Sequence, residues 1–108
     1  MNGVCLRFYA AESRRVNGKL FYEWLLDQAR ALGIPGGTAF KAIAGFGRHG
    51  VMHEAKFFEL AGELTIEVEF MVSEAEADKL LETVRAARVH ASYARFPAEI
   101  GVLDGERP

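Results

Sequence analysis

The side chains best suited to chemistry in this sequence gather between Ala44 and Lys56. The run Gly45-Phe46-Gly47-Arg48-His49-Gly50 places three glycines in six positions. Glycine tolerates positive φ and lets a ligand come close to the backbone. Successive N–H groups in such a loop can form an anion-binding nest, and Arg48 adds a positive charge beside it. A phosphate-bearing ligand suits that chemistry. A glycine bulge between two sheet segments, with Arg48 solvated, suits the same residues. The run matches neither the P-loop nor the dinucleotide fingerprint.

His49 and His53 are the weak candidates for a metal. They lie four apart, and on an extended chain that spacing separates them by about 13 Å. Both can ligate one ion only if the loop bends. Cys5 has the opposite parity from the apolar set of its strand, so it faces the second side of a sheet. No zinc-type cluster of Cys and His is present, and no metal site is expected. There is no serine nucleophile elbow and no obvious Cys–His pair. Glu67 and Glu69 resemble paired carboxylates, but they alternate with Ile66, Val68 and Phe70 and read as the polar side of a half-buried strand. Arg85, Arg88, His90 and Arg95 cluster near the end of the second helix, where cations complement the helix dipole. They could also reach a phosphate if the final strand lies beside the glycine loop. No catalytic constellation emerges, so an enzyme is not expected.

These residues need elements to hold them. Val4 to Ala10 alternates and reads as a strand. Asn17 is placed to cap a helix whose apolar face is Leu20, Phe21, Trp24, Leu25, Ala29 and Leu32. Trp24 falls in the core. Gly33 suits the residue after the helix end, and Pro35 cannot continue it. Thr38 to Ala44 reads as a second strand. Val51 to Leu60 and Leu64 to Phe70 read as a hairpin. There Phe57 and Phe58 must point to opposite faces, so one of them is exposed or buried against another subunit. Ser73-Glu74-Ala75-Glu76 is a capping box. It opens a helix with inner face Ala77, Leu80, Leu81, Val84 and Ala87 or Arg88. Val89 to Phe96 reads as a last strand stopped by Pro97. The order predicts an α+β, ferredoxin-like βαββαβ sandwich, with an antiparallel sheet and both helices on one face.

The whole composition limits the function. At 108 residues the chain suits one domain over 1–108, with a polar tail at 104–108. Thirteen Lys+Arg against 15 Asp+Glu leave no basic excess for nucleic acid. No apolar run is long enough to cross a bilayer. The start lacks a basic region followed by an apolar one, and a lone Cys forms no internal disulfide, so a cytoplasmic protein is expected. Eight Phe, three Tyr and one Trp are many for so small a core, which points to apolar surface meant for another subunit.

Several of these segments resemble the PII signalling superfamily, in which a G-F-G-R segment forms the base of the long T-loop. The resemblance is closer to a PII-like family of small uncharacterised bacterial proteins. Its carriers are Glu12-Ser13-Arg14-Arg15, Gly18-Lys19-Leu20-Phe21-Tyr22-Glu23, Gly45-Phe46-Gly47, His53 and Thr65-Ile66-Glu67-Val68-Glu69, within residues 3 to 90. The resemblance implies a homotrimer that binds an adenine nucleotide (ATP, ADP or AMP) between subunits and requires no cofactor. It would signal to a transporter or enzyme through the loop after Gly47. The ligand-binding set it implies is Gly37, Thr38, Gly45, Phe46, Gly47, Arg48 and His49. His49 stands where PII proteins carry a Gln that helps hold a magnesium–oxoacid complex, which puts 2-oxoglutarate sensing in doubt. The glycine-lysine phosphate turn of PII proteins has no match here. Arg88, His90 or Arg95 is expected in its place. The alternatives are a CutA-type metal-responsive trimer, which shares the fold, and a small ferredoxin-like enzyme.

Overall fold

The computed structural model describes residues 1–45 and 64–105. In chain order the elements are β1 (Asn2–Ala11), β2 (Arg15–Val16), β3 (Lys19–Leu20), α1 (Phe21–Ala31), β4 (Thr38–Lys41), β5 (Thr65–Val72), α2 (Glu74–Ala86) and β6 (Ser92–Glu99). Among the described residues β1, β4, β5 and β6 form one antiparallel sheet in the order β4-β5-β1-β6, so β4 and β6 are its two edges. This is the expected ferredoxin-like order, reached by two right-sized strand-helix-strand units. The proposed hairpin partner of β5, with Phe57 and Phe58, lies outside the described residues.

Alternation along β1 and β5 sorts the sheet into two faces. Val4, Leu6, Phe8 and Ala10 stand opposite Val72, Phe70, Val68 and Ile66 in the register, and all eight are buried. α1 and α2 cover that face with Phe21, Trp24, Leu25, Ala29, Ala77, Leu80 and Val84. The spacing of three and four between these residues puts each set on one helical stripe. Phe8 and Phe70 meet edge to face at 6.3 Å, and Phe21 stacks on Trp24 at 6.0 Å.

The helix ends follow from local chemistry, with one correction. Ser73 and Glu76 form the expected capping box: Glu76 N–H donates to Ser73 Oγ at 3.1 Å, and Ser73 N–H to Glu76 Oε1 at 2.9 Å. Ser73→Ala should cost about 1 kcal/mol and lower the melting temperature by several degrees in a thermal melt, because it orphans a first-turn donor. Asn17 does not cap α1. Asn17 (φ 50°) and Gly18 (φ 81°) form the two-residue turn of the β2–β3 hairpin, whose right-handed twist demands positive φ at both positions. The N-cap of α1 is Leu20, without a side-chain bond, and Phe21 N–H donates instead to the Arg14 carbonyl at 2.6 Å. At the other end Gly33 (φ 84°) takes the left-handed position, with Ile34 N–H on Ala29 O and Gly33 N–H on Arg30 O, both 3.0 Å. That double closure turns the chain sharply toward β4 and buries Ile34.

Two further expectations are corrected. β4 is shorter than Thr38 to Ala44 and ends at Lys41. The last strand begins at Ser92 and is not stopped by Pro97, which pairs with Val4 inside it. Pro97 is tolerated because β6 is an edge strand, where a missing N–H faces no partner strand.

Candidate functional site at the strand edges

Gly36, Gly37 and Thr38 lead the chain from α1 into the edge strand β4. Gly36 and Gly37 border an open cavity of about 570 Å³ whose lining includes Leu26, Ile34, Pro35 and Phe70 below and Lys19, Asp27 and Arg30 at the rim. That volume is in the range of small-molecule sites. Lys19 Nζ and Asp27 Oδ2 are 2.6 Å apart. Their hydrogen bond raises the Lys19 pKa and lowers that of Asp27, so both stay charged at neutral pH. Gly37 is demanded by space rather than by φ. A Cβ there would fall on Cε1 of Phe70, with Cδ1 at 2.7 Å.

The root of the segment 46–63 is tied at three points. Glu12 N–H donates to Leu64 O at 2.8 Å, Ala42 N–H donates to Thr65 O at 2.9 Å, and Lys41 Nζ sits 3.0 Å from Glu12 Oε2. Glu12 Oε1 is buried and has no hydrogen-bond partner among the described residues. The Glu12–Lys41 pair was invisible as a pair in the sequence, because 28 positions separate residues that the sheet brings together across β5. Gly45 stands exposed just beyond this root. Phe46, Gly47, Arg48, His49 and His53 lie outside the described residues.

Arg88 and Arg95 are found elsewhere. Arg88 occupies the left-handed position after α2 (φ 58°), exposed to solvent. Arg95 lies on β6 and faces α2, with Nη1 2.7 Å from Asp78 Oδ1 and Nη2 3.9 Å from Glu74 Oε1. β6 is the edge opposite β4. Three strand spacings, about 14 Å, therefore separate Arg95 from Thr38 within one protomer. The final strand does not lie beside the chain that leads into the glycine loop, and Arg88 and Arg95 do not join Gly37 and Thr38 in a single chain.

Among the described residues no helix covers the second face of the sheet. Its middle carries Arg7, whose Nε is 2.8 Å from Glu69 Oε2 and 3.7 Å from Glu67 Oε2. The guanidinium also lies 4.9 Å from the Phe96 ring centroid. Hydrogen bonding to Glu69, then to Tyr9, holds Arg7 firmly protonated. Glu67 and Glu69 are thus counter-ions of Arg7, as the polar side of a half-buried strand should be. Cys5 lies on this same face yet is 2% exposed. Burial, then the Glu69 charge, pushes its thiol pKa up, so it is a poor nucleophile and metal ligand as it stands. Among the described residues no group of three His, Cys, Asp or Glu converges to hold a metal, and no helix is long and apolar enough to cross a membrane.

The sheet order, the two helices on one face and the tied root of a long inter-strand segment define a PII-like fold. Solved structures share it. A protein described as PII-like signalling from Thermus thermophilus superposes with a TM-score of 0.61 at 18% identity, over 91% of this chain and 87% of that one. CPII, a nitrogen regulatory PII-like protein from Thiomonas intermedia bound to ADP, AMP and bicarbonate, does so with a TM-score of 0.61 at 20% identity, over 95% and 97%. The chain belongs to the DUF190 family of uncharacterised proteins, whose model matches residues 3–93. It is 35% identical over 80 residues to a UPF0166 protein of Aquifex aeolicus (74% of this chain, 76% of the relative). It is 30% identical over 76 residues to a UPF0166 protein of Methanocaldococcus jannaschii (70% and 69%).

Proposed function

We propose that this protein is a non-enzymatic, cytoplasmic PII-like regulator that binds an adenine nucleotide between the subunits of a homotrimer. The observation that carries the reading is a shared fold with a PII-like protein whose structure holds ADP, AMP and bicarbonate. The opposite placement of the candidate residues agrees with it. Gly37, Thr38 and Gly45 belong to one edge of the sheet, and Arg88 and Arg95 to the other edge or its end. A ring of copies would bring the β4 edge of one protomer to the β6 edge of the next, which a single chain cannot do. The glycine segment Gly45 to Gly47 would then meet the phosphates with its backbone, and Arg48 would add the charge that the chain's near-neutral total does not supply. The open sheet face, with Phe40, Met71 and Phe96 each 39–49% exposed, is the surface such an assembly would bury. Nucleotide occupancy would shift the population of loop states after Gly47 and so the docking of a partner such as a transporter or enzyme.

A melting series with ATP, ADP, AMP and cyclic nucleotides tests this. A nucleotide at about 100 times its Kd should add about 2.7 kcal/mol of stability, seen as a rise of several degrees. Arg48→Ala should shrink that rise without changing the melt of the free protein. No shift with any nucleotide of the panel would overturn the nucleotide claim.

A further inference from the structure

The basic side chains divide into those with a partner and those without. Among the described residues Arg7, Lys19, Lys41, Arg85 and Arg95 are ion-paired, and Arg15 donates to the Gly18 carbonyl at 3.1 Å. Arg14, Arg30, Lys79 and Arg88 have no such side-chain partner there. Arg30, Lys79 and Arg88 are exposed, so water solvates their charge. Arg14 alone of the four is half-buried. A guanidinium drawn partly out of water loses hydration, and Arg14 has no counter-ion among the described residues to offset it. That is the condition in which an anion from outside binds well.

The backbone of Arg14 is held while its side chain is left open. Its N–H donates to the Ala11 carbonyl at 3.0 Å, and its carbonyl accepts from Phe21 N–H at 2.6 Å. The first bond closes the turn that ends β1, and the second ties that turn to the start of α1. A side chain on a root fixed in this way loses less freedom when it binds.

Arg14 stands at the end of the sheet from which the glycine segment leaves. Ala11, three residues before it, is level with Thr65, and Thr65 O accepts from Ala42 N–H. Gly45 lies three residues past Ala42. Side chains from the two sides meet across β5 here, since Lys41 Nζ is 3.0 Å from Glu12 Oε2. The same contact answers the charge of Glu12, the acid closest to Arg14 along the chain.

We propose that Arg14 is a binding residue for a phosphate group. Its guanidinium holds, through a pair of parallel N–H···O bonds, a phosphate of the ligand whose other contacts begin at Gly45. The proposal rests on the nucleotide reading above and adds a residue to that site. A lysine in its place would keep the charge and lose the planar fork.

The test measures Kd by calorimetry on the full chain, for ATP, ADP, AMP and tripolyphosphate. Arg14→Gln should weaken ATP by about tenfold or more. The melt of the free protein should move by no more than about one degree. Arg14→Lys should recover only part of the lost affinity. Lys79→Gln removes one exposed charge from α2 and should leave every Kd unchanged. Tripolyphosphate should bind the unaltered chain and weaken by a like factor in Arg14→Gln. Three results would overturn the role of Arg14 and leave the nucleotide reading standing: equal ATP affinity with and without Arg14, an equal loss in Lys79→Gln, or a free Arg14→Gln protein that melts several degrees lower, which would assign the guanidinium to a structural partner such as Glu12. Tripolyphosphate binding that depends on Arg14, with no binding of ATP, ADP or AMP, would support Arg14 and overturn the nucleotide reading. No binding of any of the four would overturn both.

Discussion

Phe70→Ala should remove about 3–5 kcal/mol of folding stability in denaturant unfolding at fixed protein concentration. Phe70 is 1% exposed in the centre of β5, opposite Leu6. Its ring meets Phe8 edge to face, closes against Gly37, and forms a wall of the α1–β4 cavity. Truncation therefore loses the transfer free energy of the ring, the aromatic pair and the packing of the residues left around a void. A domain of this size is stable by about 5–15 kcal/mol, so the loss is a large share of the total. Phe70→Leu keeps most of the volume and should cost clearly less. Equal losses for the two variants would show that the ring is not packed as described.

Gly37→Ala is the second large effect, of opposite kind. Here an added methyl meets a buried ring, and overfilling of this sort costs about 1–3 kcal/mol. Gly36→Ala is its control, because a Cβ at Gly36 has nothing within 4 Å. Gly36→Ala should leave unfolding nearly unchanged, while Gly37→Ala lowers the midpoint. The pair Gly37→Ala and Phe70→Leu should be non-additive, since the smaller side chain removes the clash. Additive losses would place Gly37 away from Phe70.

The core face of β1 and β5 was legible because alternation is a local signal, and Leu6, Phe8, Val68 and Phe70 all fall where the pattern puts them. The capping box at Ser73 and the stop at Gly33 were legible for the same reason, since each is set by residues within one helical turn. Asn17 was misread because Asn serves both as an N-cap and in a hairpin turn, and the choice depended on Arg15–Val16 pairing with Lys19–Leu20. Pro97 was misread because a proline ends a strand only where its missing N–H would be needed, and that depends on whether the strand is an edge.

The candidate site divides along the same line. Gly45, Gly47 and Arg48 are proposed from residue type and order alone. That Arg95 sits on the edge opposite Thr38, that Lys41 reaches Glu12 across β5, and that Cys5 lies buried between Phe96 and Met71 are matters of register. By itself the sequence determined β1, β5, the two helices and the apolar stripe of each, because those depend on neighbours a few residues apart. Only the tertiary structure decided which strands are the edges, which glycine a ring requires and, among the described residues, which apolar side chains are exposed. Those depend on contacts between residues far apart in the chain, whose pairing no local pattern specifies.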